Sequence, residues 1–143
     1  MLMPDVNVLV YAHRGELPQH APHRDWMRGL LEGMESYAVS DAVVNGFLRL
    51  VTNRRVFRTP TPLDDALRFA DVFRHRPQAI IVAPGPRHWP IFQRLCHDTG
   101  AAGRDLPDVQ LAAVAIEHGC EFVTADRGFA RFKGLRLQPV PAA

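Results

Sequence analysis

The chain has 143 residues, 47% hydrophobic and 22% charged, with a formal net charge of +2. These are the proportions of a soluble globular protein of one domain; no apolar run reaches membrane-spanning length, so no membrane-spanning helix is expected. The small net charge excludes no partner. Lys133 is the only lysine, so the positive charge is almost all arginine, which suits bidentate phosphate contacts but equally fits a coding bias.

In chain order, short β-rich runs alternate with helical patterns, which predicts an α/β domain around a mostly parallel sheet. Residues 2–6 read as a strand that is apolar on both faces and hence central. No basic segment precedes this run and Asp5 interrupts it, so it does not read as a signal peptide, and a cytoplasmic location is expected. Residues 17–22 read as a turn-rich linker and 23–32 as a helix, with Trp26 and Leu30 at helical spacing. A short strand is predicted at 37–39. Ser40 or Asp41 then caps a helix to about Thr52. Residues 53–60 form a basic loop, and Pro62 opens a helix with Leu63, Leu67, Ala70 and Phe73 on one face. A strand at 79–82 is followed by helices at 89–98 and 107–118, which stop at Gly100 and Gly119. Strands at 121–124 and 135–137 complete the pattern. Residues 1–138 are expected to form the single domain and 139–143 a disordered tail. Cys96 and Cys120 match no ligand spacing and read as buried thiols.

Single aspartates border or interrupt the apolar runs. Asp5 lies near the end of the first predicted strand, Asp41 just past the second and Asp126 just past a later one, and Asp108 opens a helix. An ionised carboxylate beside a core is costly unless something pairs with it. Sites in open parallel sheets form beyond the carboxyl ends of strands. Asp5, Asp41, Asp108 and Asp126 are therefore expected to converge in one acidic cleft suited to a hard divalent cation, Mg²⁺ or Mn²⁺. Bland roles compete: Asp41 and Asp108 also suit a helix start, and Asp126 suits the turn Asp126-Arg127-Gly128. Asp105 competes with Asp108. Asp41, Asn45 and Arg49 share a polar helix stripe, from which Asn45 would orient a ligand or water and Arg49 would meet a carboxylate or phosphate. The loop with Arg54, Arg55 and Phe57 offers a surface for gripping and stacking nucleic acid, or is simply a basic loop.

Four segments together resemble a known family: Asp5-Val6-Asn7-Val8-Leu9-Val10-Tyr11-Ala12; residues 46–57, beginning Gly46-Phe47-Leu48-Arg49; Leu106-Pro107-Asp108-Val109-Gln110-Leu111-Ala112-Ala113; and residues 124–132, beginning Thr124-Ala125-Asp126-Arg127-Gly128. The chain resembles PIN-domain ribonucleases of the VapC toxin type. The resemblance implies a three-layer α/β/α sandwich and an endoribonuclease that depends on Mg²⁺, with Mn²⁺ as substitute. It implies a homodimer and a VapB-like antitoxin that blocks the cleft. Asp5 and Asp108 match the principal metal-binding aspartates and Asp126 the third acid, with Asn7, Asn45, Asp105 and Thr124 around them. The family's second acid is usually glutamate. Asp41 lies near that place and would position or deprotonate the attacking water, while Val44 stands where some members have the acid. Gly128 replaces an acid common in relatives. Arg49, Arg54 and Arg55 would contact RNA phosphates. The departure at Asp41 keeps a second reading open, a catalytically silent PIN-like module that binds RNA or protein. A phosphoryl-accepting receiver domain fits less well, because Lys133 sits in a turn.

Overall fold

The computed structural model describes residues 1–142. Its strands are β1 (Leu2–Pro4), β2 (Tyr37–Ser40), β3 (Ala79–Val82), β4 (Glu121–Val123) and β5 (Arg136–Gln138). All pair in parallel, in the order β3-β2-β1-β4-β5. The helices are α1 (Val6–His13), α2 (His20–Glu32), α3 (Asp41–Val51), α4 (Leu63–Arg74), α5 (His88–Thr99) and α6 (Leu106–Glu117). Short 3-10 turns cover Gly103–Asp105 and Arg127–Arg131.

From β1 the chain winds outward through β2 to β3, and α1, α2, α3 and α4 pack on one another along that path. It then crosses back through the α5–α6 pair to β4, on the other side of β1. Right-handed crossovers put these two helix groups on opposite faces, giving an α/β/α sandwich. The winding reverses between β1 and β4, and such a switch point opens a crevice at the carboxyl ends of the two strands.

The core lies on both faces of the central strands. Met3, Tyr37, Ala38, Val39 and Phe122 are fully buried, covered by Phe47 and Phe73 from one helix group and by Leu95, Ala112 and Ala113 from the other. Each large apolar side chain so buried stabilises the fold by about 1.5–3 kcal/mol. The buried Tyr37 hydroxyl is satisfied by the Phe73 carbonyl at 2.5 Å.

Four expectations need correction. The first strand ends at Pro4, and a helix that the sequence reading did not foresee starts at Val6. Its valines favour strand, but the Asp5 carboxylate accepts the Val6 N–H at 2.7 Å and caps the helix, while Val8, Leu9, Val10 and Ala12 are buried. Tertiary packing overrides propensity here. Second, α2 begins at His20, inside the expected linker, because Pro22 lies within its first turn, where the missing N–H costs nothing. Third, α4 buries Ala66, Ala70 and Phe73, leaving Leu63 and Leu67 exposed. Fourth, β5 is shifted one residue, to Arg136–Gln138. In the expected tail, residues 139–142 carry no helix or strand; Ala143 lies outside the described residues.

Candidate active site

The β1–β4 register pairs Pro4 with Val123, so Asp5 and Thr124 emerge side by side. The Asp5 N–H donates to the Val123 carbonyl at 2.8 Å, which fixes the backbone at that point. One Asp5 carboxylate oxygen accepts the Val6 N–H; the other accepts the Thr124 hydroxyl at 2.6 Å and the Asn7 amide at 3.2 Å. The Thr124 oxygen also accepts the Asp126 N–H at 3.0 Å, and the Asn7 carbonyl accepts the Ala125 N–H at 3.2 Å. Asn7 and Thr124 thus lock the ends of β1 and β4 together around one carboxylate. Asp126 caps the following 3-10 turn through the Gly128 N–H, at 2.8 Å.

Asp108 reaches the same place from the first turn of α6, with Pro107 before it. Asp5, Asp108 and Asp126 line a cleft of about 360 Å³ with Asn7, Arg49 and Gln110. Burial pushes the Asp5 carboxyl above its usual range; the Thr124 and Val6 hydrogen bonds oppose this, and the charges of Asp108 and Asp126 add to it. Burial also raises Asp108, against the neighbouring Arg131 guanidinium and with the help of Asp126 and Asp105. The fold holds like charges together that a single ion pair, Arg131 to Asp108, offsets only in part.

A larger groove of about 750 Å³ lies at the end of α1, lined by His13, Arg14, Phe57 and Arg58 among others. Its inner polar groups are already matched: Arg14 serves Glu16, Thr61 and the Thr59 carbonyl, and His13 meets Thr61 at 3.0 Å. The smaller, charge-mismatched cleft is the better candidate for chemistry.

Asp41 is not brought to this cleft. It is exposed on the first turn of α3, and both its carboxylate oxygens take the Arg74 guanidinium of α4, at 2.9 and 3.3 Å. It lines a neighbouring hollow with Ser40 and Pro84. The expectation of a four-acid cluster is corrected to three acids. Arg49, two turns further along α3, does face the cleft, whereas Asn45, Asp105, Arg54 and Arg55 are exposed outside its lining. The sequence reading missed Arg131, whose guanidinium lies 3.6 Å from the Asp108 carboxylate; its only signal was an arginine five residues after Asp126.

The donors suit a hard cation: carboxylates, an amide and a hydroxyl line or support the cleft, without histidine or cysteine. Among the described residues no group of three or more His, Cys, Asp and Glu side chains is placed to hold a metal ion by itself. A Mg²⁺-type ion takes one or two carboxylates and keeps several waters.

Comparison with known proteins decides the family. A PIN-domain family model matches residues 2–135. The chain is 47% identical over 136 residues to VapC ribonuclease Mb2897 of Mycobacterium bovis, covering 95% of this chain and 92% of that relative. The chain belongs to the VapC-type PIN-domain family. It is also 43% identical to Ribonuclease VapC25 of Mycobacterium tuberculosis over 136 residues, covering 95% of this chain and 96% of that relative. In fold, this PIN domain is similar to a chain of the VapBC2 crystal structure from Rickettsia felis bound to promoter DNA. The TM-score is 0.70 at 19% identity, with 96% of this chain and 97% of that one covered.

Proposed function

We propose that this PIN domain is the endoribonuclease toxin of a toxin–antitoxin pair and hydrolyses phosphodiester bonds of structured RNA with a divalent cation, Mg²⁺ or Mn²⁺. The observation that carries this reading is the convergence of Asp5, Asp108 and Asp126 on one cleft at the switch point of a VapC-type fold. Asp5 and Asp108 would hold the cation, and Asp126 would reach it through water. When bound, the cation polarises the scissile phosphate and lowers the pKa of an attacking water.

The chain's own contribution is orientation. Thr124, Asn7 and the Val6 N–H fix both oxygens of Asp5, so its carboxylate cannot rotate away. Arg49 at the cleft wall is suited to a phosphate oxygen of the RNA backbone. Arg54 and Arg55, exposed on the loop after α3, would grip the strand further out. Paired bases hide their edges in a narrow groove, so the substrate would present an unpaired loop. We assign a VapB-like antitoxin as the partner that covers the cleft, a homodimer as the toxin's own assembly, and the cytoplasm as its location. Similar solved structures, from Rickettsia felis and Salmonella typhimurium, are VapBC complexes, which supports the antitoxin.

The test is cleavage of a structured RNA by the purified chain with Mg²⁺, with Mn²⁺ and with EDTA, beside Asp5→Asn and Asp108→Asn. Cleavage should need the cation, and each substitution should lower it by about a hundredfold or more. Undiminished cleavage in EDTA or in both variants would reject the assignment.

A further inference from the structure

Among the described residues, Arg131 makes the one ion pair to any of the three cleft acids, Nη2 to the Asp108 carboxylate at 3.6 Å. It sits in a made seat. Its Nη1 donates to the Gly128 carbonyl at 2.5 Å, and its guanidinium lies 4.2 Å from the centre of the buried Phe132 ring. Gly128 keeps the seat open: a Cβ there would stand 3.1 Å from Arg131 Nη1 and 2.9 Å from the Asp126 carboxylate. The 3-10 turn that Asp126 caps is the same turn that ends in Arg131, so one short element supplies an acid to the cleft lining and, from outside that lining, a cation to Asp108. Arg49 lines the cleft from the opposite helix group without such an ion pair. A guanidinium held beside Asp108 does part of what a divalent ion would do, and the two positive charges repel at short range.

We propose that Arg131 is a built-in counter-cation, which holds Asp108 in the metal-free protein and competes with the metal for it, so that it sets the cation affinity of the cleft. The inference rests on the reading of the cleft as a metal site. It makes Arg131 a positioning residue that acts through Asp108. A long side chain seated by a carbonyl and a ring can withdraw without unfolding the turn, since Asp126 and Gly128 hold the turn by their own hydrogen bond.

The test is calorimetric titration of the full chain with MnCl₂ alone, without RNA, for the parent protein and for Arg131→Met, Arg131→Gln and Arg131→Lys. Met keeps the apolar stem over Phe132, Gln keeps hydrogen-bonding capacity without charge, and Lys keeps the charge. Melting in EDTA verifies that each is folded, and the remaining pair carries the comparison if one is not. Met and Gln should bind Mn²⁺ about tenfold more tightly than the parent, and Lys about as the parent does. A merely structural arginine would leave the affinity unchanged or weaken it on removal. Unchanged or weaker binding in Met and Gln, or a Lys variant as tight as Met, overturns the role of Arg131 and leaves the metal site standing. Absence of Mn²⁺ binding in the parent and in every variant overturns both.

Discussion

Glu117 ends α6 with its carboxylate buried, a burden that an unpaired acid could not sustain. Its two oxygens accept the Gly85 N–H at 2.8 Å and the Arg87 N–H at 2.9 Å, and the Arg87 guanidinium returns to the Glu117 carbonyl at 2.7 Å. This clasp ties the loop after β3 to the end of α6, the helix whose other end presents Asp108. Burial opposes the charged form, but the Gly85 and Arg87 donors and the nearby His118 and His88 outweigh it, so the carboxyl lies below its usual 4.5. The folded state therefore binds that proton less readily than the unfolded chain. Its stabilising contribution is complete above the usual value and is lost as pH falls through the lower, folded value. Glu117→Gln turns an N–H donor toward an N–H donor and should cost about 1–3 kcal/mol at neutral pH. Denaturant melts should show that gap narrowing in acid; a gap constant with pH would mean that packing alone explains it. Glu117 was not legible beforehand, because a glutamate at a helix end looks like a solvated one. Asp5 was legible, because an acid inside so apolar a run has few bland explanations. The placement of Asp41 was misread for a related reason: its partner Arg74 lies 33 residues away, and only packing of α3 on α4 brings them together.

Among the elements, α1 was the hardest to read and matters most to the cleft. Its residues alternate in no way that separates a buried helix from a buried strand, and the valines argued for strand. What decides is the Asp5 cap and the close approach of α3. Gly46 lies in the middle of α3, and a Cβ there would stand 2.8 Å from Val6 Cγ2 at the first residue of α1. Valine is stiff at χ1 and cannot simply swing aside. Helix propensity alone would make Gly46→Ala stabilising by about 1 kcal/mol. The clash is the larger effect, so the net outcome should be destabilisation by about 1–3 kcal/mol. Because the same contact sets the angle at which α1 leaves Asp5, RNA cleavage should fall as well. Adding Val6→Ala should restore most of both losses, and a double-mutant cycle by denaturant melts measures the coupling. Independent, additive effects would show that α1 and α3 do not constrain each other there.

At the scale of the whole molecule, the parallel sheet was legible from a first strand apolar on both faces, and the strand order from nothing local. That order creates the cleft, since β1 and β4 become neighbours although their paired residues lie 119 positions apart in the chain. The arrangement also carries an electrostatic cost. Asp5 and Asp108 hold their protons above the usual 3.8, so the folded, cation-free protein binds protons more readily than the unfolded chain. Their contribution therefore has the opposite sign to that of Glu117: stability declines as pH rises from the usual value through the raised ones. A divalent cation held by these carboxylates would bind only once they are ionised, so its stabilisation should grow with pH over the same window. At a concentration a hundred times its Kd it should add about 3 kcal/mol, or roughly 10 °C in melting temperature for a chain of this size. Melts with Mn²⁺ and with EDTA at pH 4.5 and pH 7.5 check this. The expected result is a large shift at the higher pH, a small one at the lower, and a much reduced shift at both for Asp108→Asn. An equal shift at the two pH values, or one that survives in Asp108→Asn, would place the bound cation somewhere other than between these acids.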